Sequence, residues 1–422
     1  MSTLSDHLTE LRRDLHRHPE PGWREFYTTA RIVEELERIG VDEVHVGPDA
    51  LDSELRFGVP DESEFEPWRT RAEALGVDPE TLSRIGAGET GCVAVVGSGE
   101  PVVGLRVDID ALPITEADTD HLPADDAFRS EHEGYMHACG HDAHATIGLG
   151  VIERLKGEFD GTLKVFFQPA EELIGGGKAM AESGHLDDVE YLLSVHVGLD
   201  HPTGEVVAGI DGFLAVSHVE AEFRGQSAHA GARPEEGKNA ILAMATAVQN
   251  LYGIPRHADG ETRVNAGKVG GGTASNIVAE HAFVEAEVRG ETTELMTYMR
   301  EHADRILRAA AEMHDCEVEI RTEGEAPSAV SDEELVEVVA DVAREVDGVD
   351  TVLDRATLGG SEDATYLMQA VQEGGGYAAY VGIGTDHPGG HHTPTFDVDE
   401  RSIGIGIDTL SGAVERIVAD RP

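Results

Sequence analysis

The sequence predicts an α/β protein in which a mostly parallel-sheet main domain is interrupted by a smaller inserted α+β, ferredoxin-like satellite. Three observations carry this. Apolar runs of strand length alternate with helical patterns over the first half of the chain. The rhythm changes near Phe213 to the alternation of half-buried strands, and returns to the first pattern past Pro327. The length, 422 residues, exceeds that of a typical single domain. The expected division is 1–212 and 326–422 for the two parts of the main domain and 213–325 for the satellite.

The first helix is expected over residues 5–18, with Leu8, Leu11 and Leu15 at helical spacing, Ser5 as its cap, and Pro19 and Pro21 beyond its end. A second amphipathic helix spans 28–39 and stops at Gly40. Residues 48–86 are polar and proline-bearing, and read as an inserted surface excursion with room for a short helix. Strands are then expected at 93–96, 102–107, 163–167 and 191–197, with helices at 143–155 and 176–183 between them. In the satellite, strands at 218–224, 284–289 and 316–321 are separated by helices at 239–251 and 294–313. The final stretch offers a helix at 332–346 and a strand at 377–383. Residues 387–394 thereby return to the main domain.

Composition narrows the function classes. There are 82 acidic against 32 basic residues, a formal net charge of −50, and the acid is spread along the whole chain. Lysine occurs only at Lys156, Lys164, Lys178, Lys238 and Lys268. The pattern is that of proteins from salt-loaded cytoplasm, where short screening lengths suppress self-repulsion, so a halophilic protein is expected. Nucleic acid is an unfavourable partner because phosphate backbones need a basic face. No run approaches the ~20 apolar residues that span a bilayer, and the opening residues lack a basic start followed by an apolar core. A cytoplasmic protein without a membrane partner is expected. Cys92, Cys139 and Cys316 are too few and too scattered for a disulfide framework.

The chemistry lies at the ends of the expected strands. Asp108 and Asp110 follow the 102–107 run, Glu171 and Glu172 follow 163–167, and His196 lies near the end of 191–197. In open α/β sheets, ligands bind at the carboxyl ends of strands. Upstream stands Met136-His137-Ala138-Cys139-Gly140-His141-Asp142-Ala143-His144, and downstream the pair His391-His392. Cys, His and Glu hold transition metals, and a spare carboxylate beside them is what an activated water needs as its base. The one-residue spacer in Cys139-Gly140-His141 lets two ligands straddle a pair of ions, and a thiolate can bridge two cations. Of the adjacent pair Glu171 and Glu172, one can ligate while the other faces the water. His137 and His144 read as supporting or packing residues, and Asp108 as a carboxylate that orients a ligating imidazole. His391 and His392 cannot both be assumed ligands.

With these motifs the chain resembles the co-catalytic two-metal amidohydrolases and metallopeptidases that include aminoacylases, indole-acetyl-amino-acid hydrolases and carboxypeptidase-like enzymes. Within them it is similar to the p-aminobenzoyl-glutamate hydrolase branch. Matching segments run nearly end to end, among them Arg13-Asp14-Leu15-His16-Arg17-His18, Arg106-Val107-Asp108-Ile109-Asp110, Gln168-Pro169-Ala170-Glu171-Glu172, Ala228-His229-Ala230-Gly231 and Gly360-Ser361-Glu362-Asp363. The resemblance implies Cys139, His141, Glu172, His196 and His392 as ligands of two divalent ions, Zn or Mn, with Cys139 in the bridging place. Glu171 is then the general base, and His392 rather than His391 matches the family's His-x-Pro pattern. It further implies that His229 reaches the active site of a neighbouring protomer and that Asn276 and Arg289 grip a substrate carboxylate. For Arg289 the residue-level alternative is a surface salt bridge. The implied substrate is a small amide with a free carboxylate, of p-aminobenzoyl-glutamate type. N-acyl-amino-acid, indole-acetyl-amino-acid and dipeptide cleavage are the alternatives, and a non-catalytic binding protein on the same scaffold is the remote one. The implied assembly is a homodimer or a heteromer with a paralogous chain.

Overall fold

Burial decides where the predicted elements begin and end. The computed structural model describes residues 5–157, 160–387 and 389–422; residues 1–4, which open the argument about a leader, lie outside them. The chain divides into two units, Met1–Asp211 with Ala329–Leu358 and Glu362–Pro422, and Gly212–Ser328 with Gly359–Ser361. Strands in chain order are β1 (Glu43–Val46), β2 (Cys92–Gly97), β3 (Val102–Asp108), β4 (Thr162–Gln168), β5 (Tyr191–Val197), β6 (Glu205–Asp211), β7 (Ala215–Arg224), β8 (Thr262–Gly271), β9 (His281–Gly290), β10 (Glu317–Ala326), β11 (Thr351–Thr357) and β12 (Tyr377–Ile383). Among the described residues no helix is long and apolar enough to cross a membrane.

The first unit is built on an eight-stranded sheet in the order β1-β2-β4-β3-β5-β12-β6-β11. Its centre is parallel: β3 pairs in parallel with β4 and β5, and β5 with β12. β1, β2 and the β12–β6 pair run antiparallel. β3 and β5 are buried along their whole length, which is why they read as continuous apolar runs rather than alternating ones. Helices pack against the sheet, and the Asp6–Arg17 helix starts where the Ser5 hydroxyl accepts the Leu8 amide at 3.2 Å. The parallel arrangement puts the carboxyl ends of four neighbouring strands, β4, β3, β5 and β12, at one edge.

The segment 48–86 corrects an expectation. It carries two helices, Glu62–Ala74 and Pro79–Arg84, and is no mere surface excursion. Phe65 and Trp68 are buried in the main core, and the Phe65 ring meets Phe26 edge-on at 6.2 Å. Its scattered apolar residues are docking points for the core, which low hydrophobicity alone conceals.

The second unit is a four-stranded antiparallel sheet in the order β10-β7-β9-β8. With the helices Ala240–Leu251 and Thr293–Met313 the chain order is β-α-β-β-α-β, the ferredoxin-like arrangement. Both helices cover one face and bury Ala243, Ala247, Met299 and Leu307 against the strands.

Candidate metal centre

The site is assembled at the carboxyl edge of the central strands. Gly140 begins it: its φ of +85° turns the chain into the His141–Leu155 helix, and a Cβ there would lie 2.6 Å from Val197 Cγ2. That turn delivers Cys139 and His141 from opposite sides of one glycine. After β4 the chain turns through Ala170, whose φ is +55°. Glu25 holds this turn by accepting the Ala170 amide at 2.8 Å, and Asp110 accepts the Glu171 and Glu172 amides, each at 3.1 Å. Asp110 also takes the His141 Nδ1 proton at 3.3 Å. One carboxylate thus fixes both the helix-borne imidazole and the loop that carries the two glutamates.

The remaining donors arrive from β5 and the late turn. His196 Nε2 lies 3.4 Å from Cys139 Sγ, and its Nδ1 donates to the Val197 carbonyl at 2.7 Å. The His392 amide donates to the Ala138 carbonyl at 2.9 Å, which seats the turn beside Cys139, and His392 Nε2 stands 3.6 Å from Glu172 Oε2. Among the described residues, four groups of side chains offer donor atoms within 4.8 Å of one another: Cys139 with Glu172 and His392, Cys139 with His196 and His391, His141 with Glu171 and Glu172, and Asp108 with His141 and His144.

The donor set fits cations, and the electrostatics require something positive. His141 Nε2 and Glu172 Oε1 are buried without a hydrogen-bond partner, 3.8 Å apart. Such orphaned atoms are costly unless an ion satisfies them. Burial, reinforced by Glu362 and Glu172, pushes the Glu171 carboxyl well above the ordinary range. Burial likewise lifts Glu172 to about 8 against the pull of His141, and Asp363 to about 7 against Arg106. The Cys139 thiol is raised well above its usual value by burial and by Glu172. Burial opposes charge on His141, yet Asp108, Asp110 and Glu172 lift it to about 10. Carboxyls, thiol and imidazole all call for positive charge, as protons or as metal.

All five expected ligands and Glu171 meet in this one cluster. Asp108 is placed differently from the sequence reading. Its shortest ring contact is a hydrogen bond from His144 Nδ1, while Arg106 Nη1 holds its other oxygen at 2.6 Å. His144 Nε2 in turn accepts the Val197 amide at 2.8 Å, so both its nitrogens are engaged. The carboxylate beside His141 Nδ1 is Asp110, which the sequence marks only as a strand end. Its double duty to backbone amides leaves no sequence signal.

The residues expected to meet substrate or a neighbouring chain belong to the second unit. His229 is exposed, and its Nδ1 accepts the Gly231 and Ala232 amides at 3.2 and 3.1 Å. That fixes the proton on Nε2, which is left as a donor. Asn276 lies on the paired segment, its carbonyl accepting the Ala230 amide at 3.0 Å. Arg289 on β9 is gripped by Glu287 through two contacts of 3.2 and 3.0 Å and reaches Ser361 Oγ at 3.3 Å. The salt-bridge alternative therefore describes Arg289 in this structure.

Comparison with known proteins follows the same lines. The model for peptidase family M20/M25/M40 matches residues 104–416. The chain is 41% identical over 416 residues to indole-3-acetyl-aspartic acid hydrolase of Enterobacter agglomerans, covering 97% of this chain and 95% of that protein. It is 39% identical over 419 residues to one of the subunits of the p-aminobenzoyl-glutamate hydrolase of Escherichia coli, covering 97% and 96%. The crystal structure of an aminobenzoyl-glutamate utilization protein from Klebsiella pneumoniae superposes with a TM-score of 0.84 at 33% identity, covering 97% of this chain and 95% of that one. The chain thus belongs to peptidase family M20/M25/M40 and is a hydrolase of amide bonds.

Proposed function

We propose that the protein is a dinuclear-metal amidohydrolase that frees an acidic amino acid from an aromatic acyl group, with p-aminobenzoyl-glutamate as the first candidate substrate and indole-3-acetyl-aspartate as the second. The names of the two relatives at 41% and 39% identity share that plan, an aromatic acyl group on a dicarboxylic amino acid. The observation that carries the metal reading is the convergence of buried Cys139, His141 and His196 with half-buried Glu172 and exposed His392, and the orphaned donors His141 Nε2 and Glu172 Oε1 among them. Thiolate and imidazole favour zinc, and the carboxylates also suit manganese. When bound, two such ions supply Lewis acidity that polarises the scissile carbonyl and acidifies water.

The chain's own groups do the rest. Glu171, buried beside Glu172, takes the proton of the attacking water and returns it to the leaving amine. His229, reaching from a neighbouring protomer, donates its Nε2 proton to the developing oxyanion. Asn276 and Arg289 bind the amino-acid carboxylate, Arg289 exchanging Glu287 for it. The neighbour is a second copy or a paralogous chain; the Escherichia coli relative is named as one subunit of its enzyme. The net charge of −50 and the three free, buried cysteines support a cytoplasmic protein adapted to high salt. Lowering salt is expected to lower its melting temperature, measured by circular dichroism, because repulsion among 82 acids is then unscreened.

The experiment is a rate comparison in high salt, with zinc and then manganese, on p-aminobenzoyl-glutamate, indole-3-acetyl-aspartate, N-acetyl amino acids and dipeptides. The highest kcat/KM on one of the first two is expected. A preference for acetyl amino acids or dipeptides would replace the aromatic–acidic reading with one of those specificities.

A further inference from the structure

We infer that His218 is a positioning residue for substrate recognition: it takes over the Glu287 carboxylate when a substrate carboxylate displaces Glu287 from Arg289. The inference rests on the carboxylate-binding role of Arg289 proposed above and adds to it the residue that receives the displaced group.

The three side chains share the face of the second unit's sheet that its helices leave uncovered. Glu287 and Arg289 lie two apart on β9, and Val288 between them points the other way, into the core under the helices. His218 on β7 stands directly opposite Glu287 in the antiparallel register, where side chains of one face meet. Arg289 donates from Nε and Nη2 to the two oxygens of Glu287, at 3.2 and 3.0 Å, and from Nη1 to Ser361 Oγ at 3.3 Å. The Ser361 hydroxyl is itself tied, donating to the Leu214 carbonyl at 2.6 Å. Two parallel bonds along one guanidinium edge are how arginine binds a carboxylate. Glu287 therefore occupies the seat that an incoming carboxylate needs.

His218 is the group left unengaged. Its Nε2 stands 3.7 Å from Glu287 Oε2, outside hydrogen-bond reach, and among the described residues neither ring nitrogen makes a hydrogen bond. Burial holds the ring below the ordinary imidazole range, against the pull of Glu287 and with Arg289 also opposing its charge. A neutral imidazole still donates from one nitrogen. On the other flank of Glu287, the Asn265 oxygen already accepts the Tyr252 hydroxyl at 3.1 Å. A displaced Glu287 with no new partner would be a half-buried carboxylate without a bond, a cost charged against the incoming group. A shift of about 1 Å brings its oxygen within hydrogen-bond distance of His218 Nε2. His218 thereby lowers the cost of the exchange, and it acts through Glu287 without touching substrate.

The test is a double-mutant cycle on KM in high salt, with whichever amide of the set above is turned over fastest; all of them carry a free carboxylate. His218→Phe keeps a ring and removes the donor, whereas His218→Gln keeps a donor. His218→Phe is expected to raise KM by about threefold to tenfold with a smaller change in kcat, and His218→Gln to stay within about twofold of wild type. Glu287→Ala removes the competitor and is expected to lower KM by roughly threefold or more; in that background His218→Phe should move KM by less than about twofold. An equal rise of KM from His218→Phe in both backgrounds, or none in the wild-type background, overturns the proposal. So does a KM that rises in Glu287→Ala, which would make Glu287 a support for Arg289 and not its competitor. Melting is checked first; should His218→Phe fail to fold, His218→Leu is judged by the same margins. Arg289→Gln is the control: an unchanged KM there removes the carboxylate-binding reading of Arg289 itself, a different result from losing His218 alone.

Discussion

In the first unit, Asp108, Asp110, Glu171, His141 and His196 are buried, with the second ring nitrogens held by Asp110 and the Val197 carbonyl and Asp108 held by Arg106, while His392 alone of the expected ligands is exposed. In the second, His229 and Asn276 stand exposed, and Arg289 is tied to a neighbour on its own strand. The contrast separates two kinds of work. Groups that fix an ion need their geometry set before anything binds, and burial with a supporting shell does that. Groups that meet a substrate or another chain need a free face, and only the unused nitrogen of His229 is predetermined.

The sharpest way to break this comparison is Glu171→Gln. Turnover is expected to fall by roughly 10²- to 10⁴-fold while the count of bound metal stays unchanged, measured by initial rates and by mass spectrometry on one preparation. A metal-replete variant that turns over normally would remove Glu171 from its role. Next comes His229→Ala, with a loss of roughly 10²- to 10³-fold and the metal again retained. Mixing it with Glu171→Gln protein under exchange of protomers should restore part of the rate, since hybrids would contain one intact site; no restoration would confine His229 to its own chain. Asp110→Asn should weaken metal affinity by about 10- to 100-fold in chelator competition, an effect on ion and loop together that a surface residue could not produce.

The smallest effect concerns pH. His16 is buried between Asp142 and Glu116 at 2.8 and 2.9 Å. Burial opposes its charge, yet the two carboxylates lift it to about 9. A histidine raised in the folded state contributes stability that is fully present below its unfolded value near 6.5 and is lost as pH rises through about 9. The contribution is on the order of 3 kcal/mol. Melting temperature at fixed high salt should therefore decline between pH 6.5 and 9, and His16→Gln should flatten that slope. An unchanged slope would show that His16 does not carry the charge.

Much of the molecule is legible in sequence because it depends on short-range patterns. Runs such as 163–167 and 377–383 are continuous and apolar since both faces of those strands are covered, and the metal-binding residue types stand at their ends. β8 is hidden for the opposite reason: it is an edge strand, rich in glycine and largely exposed, and its in-and-out alternation lasts only from Thr262 to Ala266. The short β1 and the polar, exposed β11 lack the same signals. Asp110 and Glu25 are hidden as supports because they act through backbone amides, and no residue pattern records which amide a distant carboxylate will meet. The residues alone leave His391 and His392 open, and only the family's His-x-Pro pattern favours His392, whereas the Val197 carbonyl shared by His196 and His391 is a fact of three dimensions.

The pairing of Glu287 with Arg289 has a kinetic consequence. On the carboxylate-binding role proposed for Arg289, an incoming carboxylate must evict a tethered rival, so recognition would be an exchange of partners with little net gain in attraction. The freed amino acid faces the same competitor on its way out, and product would leave quickly. In the high-salt setting proposed above, where charges attract weakly in any case, such an arrangement would trade grip for throughput.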